Sequence, residues 1–295
     1  MHIIGHQAVR ERLGRLVALS EHPQSFLFVG PESVGKRAVA FELAWKLIGQ
    51  GEQCMHRSEA ECLHPDIALL EPEQVTEKGK TREKNISVDA VREQLSFLSR
   101  YPLTGKKRVL IIDNAHRLSR GAQSALLKTL EEPNATSILI LVTHVPAALL
   151  DTVHSRVQHV AFSLVPEVEM ECTEPELVDR FLYSLGRPGV LKTALEHPEE
   201  FAETSNFLRR FFQLEQLSCT ERLRLAEDLS KEGVRALRLL QWWVPSVRQQ
   251  ALTAVDPNEV RRIYGFLEAW LNTARVLHET QANVRLQLEK LFLSR

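Results

Sequence analysis

Short apolar runs in the first half of the chain alternate with segments whose apolar residues recur at helical spacing. The runs are rich in β-branched residues and bounded by turn residues, which is typical of strands buried in a sheet. We predict strands at residues 26–30 (FLFVG), 108–113 (RVLIID), 137–143 (SILILVT) and 157–162 (VQHVAF).

Helices are predicted between these strands. Ser87 and Ser119 stand where N-caps are expected, and each precedes apolar residues that share one helix face. A third helical pattern follows the first strand, around Leu43. The alternation indicates a parallel sheet with helices on its faces. The polar segment 76–85 (TEKGKTREKN) is predicted to be an exposed loop.

The strand signals end at about Pro166, and the second half of the chain reads as helical. Asp256 is placed to cap a long helix whose first position is Pro257, with Glu259 completing a capping box. The fold class predicted from these patterns is α/β followed by an all-α part. The apolar stripe of the long helix is predicted to be Val260, Ile263, Tyr264, Leu267, Leu271 and Ala274.

Composition narrows the class of protein. A chain of 295 residues is too long for one hydrophobic core, so two or three domains are expected. A formal net charge of −1 gives no sign of autonomous nucleic-acid binding. No apolar run is long enough for a signal peptide or a membrane span, and the 4 cysteines do not form a secreted disulfide pattern. We therefore predict a cytoplasmic protein with no membrane partner.

The first predicted strand leads into a phosphate-loop motif. Gly30, Gly35 and Lys36 match G-x-x-x-x-G-K, in which backbone N–H groups and the start of the next helix face phosphate oxygens. The hydroxyl residue that normally follows the lysine and binds Mg²⁺ is replaced by Arg37. A guanidinium cannot bind a metal cation.

A second predicted strand ends in Asp113, the position of an acid that supports Mg²⁺ in related ATP sites. The next residue is Asn114, where such ATPases place a glutamate that activates water. An amide cannot accept a proton as a carboxylate does, and losing a general base lowers rates by ~10²–10⁴-fold. We therefore predict that this chain does not hydrolyse ATP.

Several motifs together resemble the clamp-loader branch of the AAA+ superfamily. The most specific is ALLKTLEEP (125–133) after IIDNAHRLS (111–119). Within that branch the chain is most similar to the delta-prime subunit family of bacterial DNA polymerase III. The other matching segments are IIGHQ (3–7), HSR (154–156), GRPG (186–189) and the tail NVRLQLEKLFL (283–293).

The resemblance implies three domains within a ring of five subunits. These are an AAA+ P-loop domain with a parallel sheet (1–165), a small helical lid (166–205) and a C-terminal helical collar (206–295). Delta-prime subunits typically lack ATPase activity and present an arginine to the ATP site of a neighbouring gamma or tau subunit. That arginine is Arg156, in a Ser-Arg-Cys motif that here ends in valine. Its action would be catalytic in trans.

The implied partners are gamma or tau subunits and the delta subunit, with the sliding clamp and primed DNA reached through the assembled complex. Thr143 matches a residue that senses the γ-phosphate in active relatives, or it is a strand-end threonine satisfied by backbone. Arg187 matches the lid's sensor arginine, or it only docks the lid.

Zinc is the remaining cofactor question. Clamp-loader relatives usually carry a four-cysteine zinc module after the phosphate-loop helix, and only Cys54 and Cys62 remain here. His56 and His64 follow them at equal spacing, so a Cys₂His₂ site is chemically possible. Ligands two residues apart rarely converge on one ion, and His64 belongs to an HPD triplet that these subunits carry beside four cysteines. We predict a decayed, metal-free module.

Three hypotheses follow. The leading one is an ATPase-inactive clamp-loader subunit that closes the ring, acts in trans and belongs to the DNA polymerase III holoenzyme, a DNA-directed DNA polymerase (nucleotidyltransferase). The alternative is an active gamma/tau-type ATPase. The third keeps Gly30, Gly35 and Lys36 for binding ATP or ADP without hydrolysis, with Arg37 either replacing Mg²⁺ or filling the phosphate pocket.

Overall fold

The computed structural model describes residues 3–19, 22–49, 64–77, 80–170, 186–190, 192, 214, 217–231, 256–279 and 282–293. The chain divides into two units. The first contains residues 1–174 and 186–192, and the second contains residues 175–185 and 193–295. Each unit is described by itself.

A parallel sheet of five strands forms the centre of the first unit, as the alternation of apolar runs and helices predicts. The strands in chain order are β1 (Ser25–Val29), β2 (Ile67–Leu70), β3 (Gln74–Glu77), β4 (Lys80–Glu83), β5 (Arg108–Ile112), β6 (Ser137–Thr143) and β7 (Gln158–Ala161), of which β3 and β4 pair separately. The order across the parallel sheet is β2-β5-β6-β1-β7. The carboxyl ends of its strands therefore meet along one edge.

Helices cover both faces of this sheet. They are α1 (Gln7–Val17), α2 (Lys36–Ile48), α3 (Val88–Leu98), α4 (Arg120–Glu131) and the single turn α5 (Asp151–His154). Successive strand residues enter different cores: Phe26 and Phe28 pack with α1 and α2, whereas Leu27 packs with α3 and α4. A parallel sheet buried on both faces needs apolar residues at every position, which explains the continuous runs.

The predicted helix starts are confirmed by hydrogen bonds. The Ser87 hydroxyl accepts the Ala90 N–H at 3.2 Å, and the Ser119 hydroxyl accepts the Ala122 N–H at 3.2 Å. Each serine thus satisfies an N–H group that has no partner within its helix. Helix α4 is thereby fixed at its start.

One expectation for the first unit is wrong, and one strand was missed. The segment 76–85 is not a plain loop, because β3 and β4 pair antiparallel in a hairpin that includes most of it. The threonines in this segment are β-branched and favour strands despite their polarity. Strand β2 was not predicted, since its four apolar residues are too few for a clear signal.

The described part of the second unit is helical, as predicted. Its helices are α6 (Cys219–Lys231), α7 (Pro257–Glu279) and α8 (Val284–Leu293), which share one hydrophobic core. The Asp256 carboxylate accepts the Asn258 N–H at 2.9 Å and caps α7. Most of the predicted lid lies outside the described residues, so the three-domain boundaries stay a prediction.

The stripe predicted for α7 is partly wrong. Tyr264 and Leu271 are 49% and 54% exposed, while Phe266 and Trp270 face the core. The helix carries two overlapping apolar faces, and the one with the larger aromatic area is buried. Within the described residues, no helix combines the length and apolar character needed to cross a lipid bilayer.

Candidate functional site

The candidate nucleotide site lies at the carboxyl edge of the parallel sheet. The loop that follows β1 contains Gly30 and leads into α2. Glu71 follows β2 and Asp113 follows β5, while Thr143 is the last residue of β6. The loop after β1 and the polar side chains at three further strand ends therefore lie along the same edge, as expected for ligand sites in α/β folds.

The phosphate loop has the strand–loop–helix layout that the motif predicts. A Cβ added at Gly30 would lie 2.3 Å from the backbone oxygen of Phe162, so the loop approaches β7 too closely for a side chain. Gly35 caps α2 with a φ of 99°, a conformation that favours glycine. The glycines of the motif are thus required by the backbone itself.

Lys36 is turned back onto its own loop. Its ammonium donates to the Gly30 oxygen at 2.8 Å and also to the Pro31 oxygen. The residue is 7% exposed, and burial lowers the pKa of Lys36 to about 8 despite the opposing charges of Asp113 and Glu32. The amine therefore lies at the phosphate loop, hydrogen-bonded to two backbone carbonyl oxygens of that loop.

Arg37 lies between the two acidic strand ends. Its Nη1 donates to Glu71 Oε2 at 2.6 Å and to Asp113 Oδ2 at 3.4 Å. The guanidinium carbon also lies 5.9 Å from the centre of the Phe41 ring. The arginine therefore places a fixed cation against the carboxylate that would support a metal ion.

Asp113 and Asn114 complete this side of the site. Burial raises the pKa of Asp113, and the Asn114 N–H at 2.9 Å and the Arg37 guanidinium partly counter that effect. Asn114 has a φ of 48° and begins a 3₁₀ turn over Ala115–Arg117. Asparagine tolerates this left-handed backbone better than most residues.

The residues do not fit Mg²⁺. The carboxylates of Glu71 and Asp113 both contact the guanidinium of Arg37, and position 37 has no hydroxyl group that could bind the metal ion. In the described part of the chain, no group of three or more histidine, cysteine or acidic side chains could hold a metal ion.

Thr143 is buried and bonded within the chain. Its hydroxyl accepts the Val145 N–H at 3.1 Å and lies 3.4 Å from His116 Nδ1. Burial lowers the pKa of His116 to about 4, with further contributions from His144 and Arg117. The observed contacts match a satisfied strand-end threonine, and a sensor role stays a prediction.

Arg187 contacts the phosphate loop. Its Nη1 donates to the backbone oxygen of Glu32, and the nearby Gly189 N–H donates to the backbone oxygen of Ser33 at 2.8 Å. Burial lowers the pKa of Arg187, which is 7% exposed. These bonds dock the GRPG segment onto the loop, and a role as nucleotide sensor stays a prediction.

Arg156 lies away from these groups, between α5 and β7. Its Nε and Nη2 lie 2.9 and 2.8 Å from Glu131 Oε1. Its Nη1 donates to the Thr152 oxygen at 3.0 Å and to the Ser155 hydroxyl at 2.9 Å. The side chain is 34% exposed, so it is both held and accessible.

The zinc candidates are only partly described, because Cys54, His56 and Cys62 lie outside the described residues. His64 Nδ1 accepts the Asp66 N–H at 3.1 Å, and its Nε2 lies 3.2 Å from Thr104 Oγ1. Both ring nitrogens thus have partners, and the ring packs edge-on against Trp45. His64 as placed belongs to a structural contact rather than a metal site.

Two residues that contact the site arginines were missed from the sequence. Glu71 pairs with Arg37, and Glu131 pairs with Arg156. A signal existed for Glu71, since it directly follows the short apolar run 67–70. Glu131 lies within the ALLKTLEEP block, and its partner 25 residues later is not visible in any local pattern.

Sheet order, phosphate loop and strand-end acid together define a P-loop fold of the AAA+ class. A DNA polymerase III gamma-subunit-related protein from Thermotoga maritima has a similar fold, with a TM-score of 0.54. It is 21% identical, and the match covers 97% of each chain.

The family follows from the sequence comparisons. A family model described as "DNA polymerase III, delta subunit" matches residues 5–166, more than half of the chain, and the chain belongs to this family. The delta' subunit of DNA polymerase III from Pseudomonas aeruginosa is 35% identical over 158 residues. The tau subunit from Bacillus subtilis is 29% identical over 174 residues.

The chain spans only part of these relatives. The match covers 51% of this chain and 45% of the Pseudomonas protein. For the Bacillus protein it covers 55% of this chain and 29% of the relative. The predicted resemblance to delta-prime subunits is confirmed by the family and by relatives of that name at 30–35% identity.

Proposed function

We propose that this chain is a clamp-loader subunit of the delta-prime type that does not hydrolyse ATP. It closes the loader ring and presents Arg156 to the ATP site of a neighbouring gamma- or tau-type subunit. In this role it helps to load the sliding clamp onto primed DNA together with a delta subunit. The observation that carries the proposal is that Arg37 forms ion pairs with both Glu71 and Asp113.

The ion pairs of Arg37 support the absence of hydrolysis. A phosphoryl-transfer site uses a metal ion to neutralise charge that develops on the phosphate. Here the acid at 113 already has a cationic partner, and the general-base position carries Asn114. The purified chain is expected to show no ATP turnover above background, and steady turnover by the single chain would contradict the proposal.

The placement of Arg156 supports the role in trans. It is a third exposed and is bonded only to groups at the end of α4 and around α5 among the described residues. A cation presented to a transferring phosphate typically increases rates by ~10³-fold or more. Arg156→Ala in the reconstituted loader is expected to lower DNA-stimulated ATP hydrolysis strongly. Wild-type hydrolysis with this variant would overturn the role in trans.

The alternative is an active ATPase of the gamma/tau type, which the similarity to the tau subunit favours. The double variant Arg37→Thr with Asn114→Glu separates the two. If the wild-type site already works, the exchange leaves the ATPase rate of the chain unchanged. If the site is inactive, the wild type shows background turnover only.

Nucleotide binding without hydrolysis is compatible with the main proposal. Gly30, Gly35 and Lys36 keep the phosphate-loop backbone and its amine. Because Arg37 already engages the carboxylates that would support a metal ion, binding of ATP or ADP is expected to be insensitive to a metal chelator. Calorimetry with and without Mg²⁺ tests this, and binding that requires Mg²⁺, or no binding at millimolar nucleotide, would contradict it.

A further inference from the structure

We propose that Glu131 is the positioning residue for Arg156, and this inference rests on the proposed function. The carboxylate comes from the last residue of α4, and the arginine comes from the turn between α5 and β7. A single oxygen, Oε1, contacts both Nε and Nη2 of the guanidinium at 2.9 and 2.8 Å. The contact ties two segments that are separate in sequence.

The remaining contacts fix the plane of the guanidinium. Thr152 O and Ser155 Oγ accept from Nη1, at 3.0 and 2.9 Å. A guanidinium has five N–H groups in a planar fork. These acceptors engage Nε and Nη1, and Nη2 lies in ion-pair distance of Glu131, so every nitrogen of the guanidinium has a contact within the chain.

Such fixing matters because a long arginine side chain has many rotamers. Ordering a rotamer-rich side chain at an interface opposes binding, and a side chain that is already ordered avoids this loss. The first turn of α4 is anchored by the buried Gln123, which donates to the Leu118 and Ala148 backbone oxygens and accepts the Leu150 N–H. The later turns of α4 are held by Leu126 and Leu130, which are buried in the hydrophobic core. Glu131 thus transmits the position of a rigid helix to the arginine.

The exposure of the pair is compatible with this role. Glu131 is 51% exposed and Arg156 is 34% exposed, so water screens their attraction. The carboxylate can orient the guanidinium while leaving much of its field available to a phosphate. If Glu131 instead held the arginine back, removing its charge would raise the rate in the neighbouring site.

The test uses the full chain in the reconstituted loader, with DNA-stimulated ATP hydrolysis as the readout. Glu131→Gln is expected to lower kcat by about twofold to fivefold with an unchanged KM, the range for an exposed ion pair. Glu132→Gln is the matched control, because Glu132 is the exposed carboxylate next in sequence, and it is expected to match the wild type. Thermal unfolding of each variant checks that the fold is retained.

A double variant shows whether Glu131 acts through the arginine. In the Arg156→Ala background, Glu131→Gln is expected to have no further effect, since neighbouring residues that act through one contact are not additive. A fall in rate that persists in this background, a rate equal to that of Glu132→Gln, or a rise in rate would overturn the inference. Wild-type rates for Arg156→Ala alone would overturn the proposed function itself.

Discussion

Replacing Arg37 by methionine tests the ion-pair cluster at the sheet edge. The change keeps the aliphatic stem and removes the cation that contacts Glu71 at 2.6 Å and Asp113 at 3.4 Å. The variant is expected to be less stable than the wild type at pH 7, because the mostly buried Asp113 carboxylate then lacks its cationic partner. The measurement is the free energy of unfolding from urea denaturation.

The size of the loss follows from the burial of the partners. The pair with Glu71, which is 51% exposed, contributes about 0–1 kcal/mol. Asp113 is only 16% exposed, so its pair lies between that value and the ~3–5 kcal/mol lost when a fully buried pair is broken. Arg37 also stands in the first turn of α2, where a positive charge is unfavourable by ~0.3–1 kcal/mol. The expected net loss is about 1–2 kcal/mol.

The loss depends on pH with a defined sign. Burial raises the pKa of Asp113 above its ordinary value. A raised pKa favours folding at low pH, and this contribution is lost as pH rises through the folded-state pKa. Removing Arg37 raises this pKa further, so the deficit of Arg37→Met is expected to be larger at pH 7 than at pH 5.

Two controls decide whether the reasoning holds. Arg92→Met removes a guanidinium whose partner Asp89 is 85% exposed, and it is expected to change stability by less than about 0.5 kcal/mol. Adding Asp113→Asn to Arg37→Met is expected to recover most of the loss, because the neutral amide needs no cation. A variant as stable as the wild type at pH 7, or a deficit that Asp113→Asn leaves intact, would refute the argument.

Other perturbations address the same region. Arg37→Thr is expected to make the melting temperature rise with millimolar Mg²⁺, whereas the wild type stays insensitive, as thermal scans would show. Lys36→Met is expected to raise the free energy of unfolding by ~1–3 kcal/mol at pH 7, because a pKa lowered to about 8 shows that burial disfavours the charge of Lys36. This gain in stability should shrink above pH 8, and a destabilised variant would contradict the prediction. Because the pKa of His116 is lowered to about 4, the free energy of unfolding is expected to fall by at most ~3 kcal/mol as pH falls from 6.5 to 4. His116→Asn should make the free energy of unfolding less dependent on pH in this range. Gln123→Leu breaks three hydrogen bonds and is expected to lower stability by ~2–4 kcal/mol in urea denaturation, against almost no effect for the exposed Gln158→Leu.

The sheet could be predicted from sequence wherever burial demanded apolar residues at every position. Strands β5 and β6 show this, since all their residues are buried. Strand β2 escaped prediction because only its first residue is fully buried and four residues give little pattern. The hairpin of β3 and β4 escaped because its polar sequence lacks the apolar alternation on which such predictions depend.

The phosphate loop and Asp113 were predictable because each belongs to a short, local sequence pattern: a G-x-x-x-x-G-K motif and an acid that directly follows an apolar run. The partners of the two arginines were not, since Arg37 and Glu71 are 34 residues apart and meet only through the order of strands in the sheet. Nor could sequence alone show that Lys36 turns back onto loop carbonyls. A motif fixes which groups are present, while tertiary contacts decide which of them are already engaged.

The two site arginines differ in their charged partners within the described residues. Arg37 is bound to two carboxylates, the half-exposed Glu71 and the mostly buried Asp113, which balance its charge within the chain. Arg156 has one exposed carboxylate partner and neutral oxygens on its other side. The two arginine side chains are similarly exposed, at 32% and 34%, so they differ in the number of their carboxylate partners. On the proposed function, the first arginine blocks metal chemistry in this subunit and the second provides charge to its neighbour.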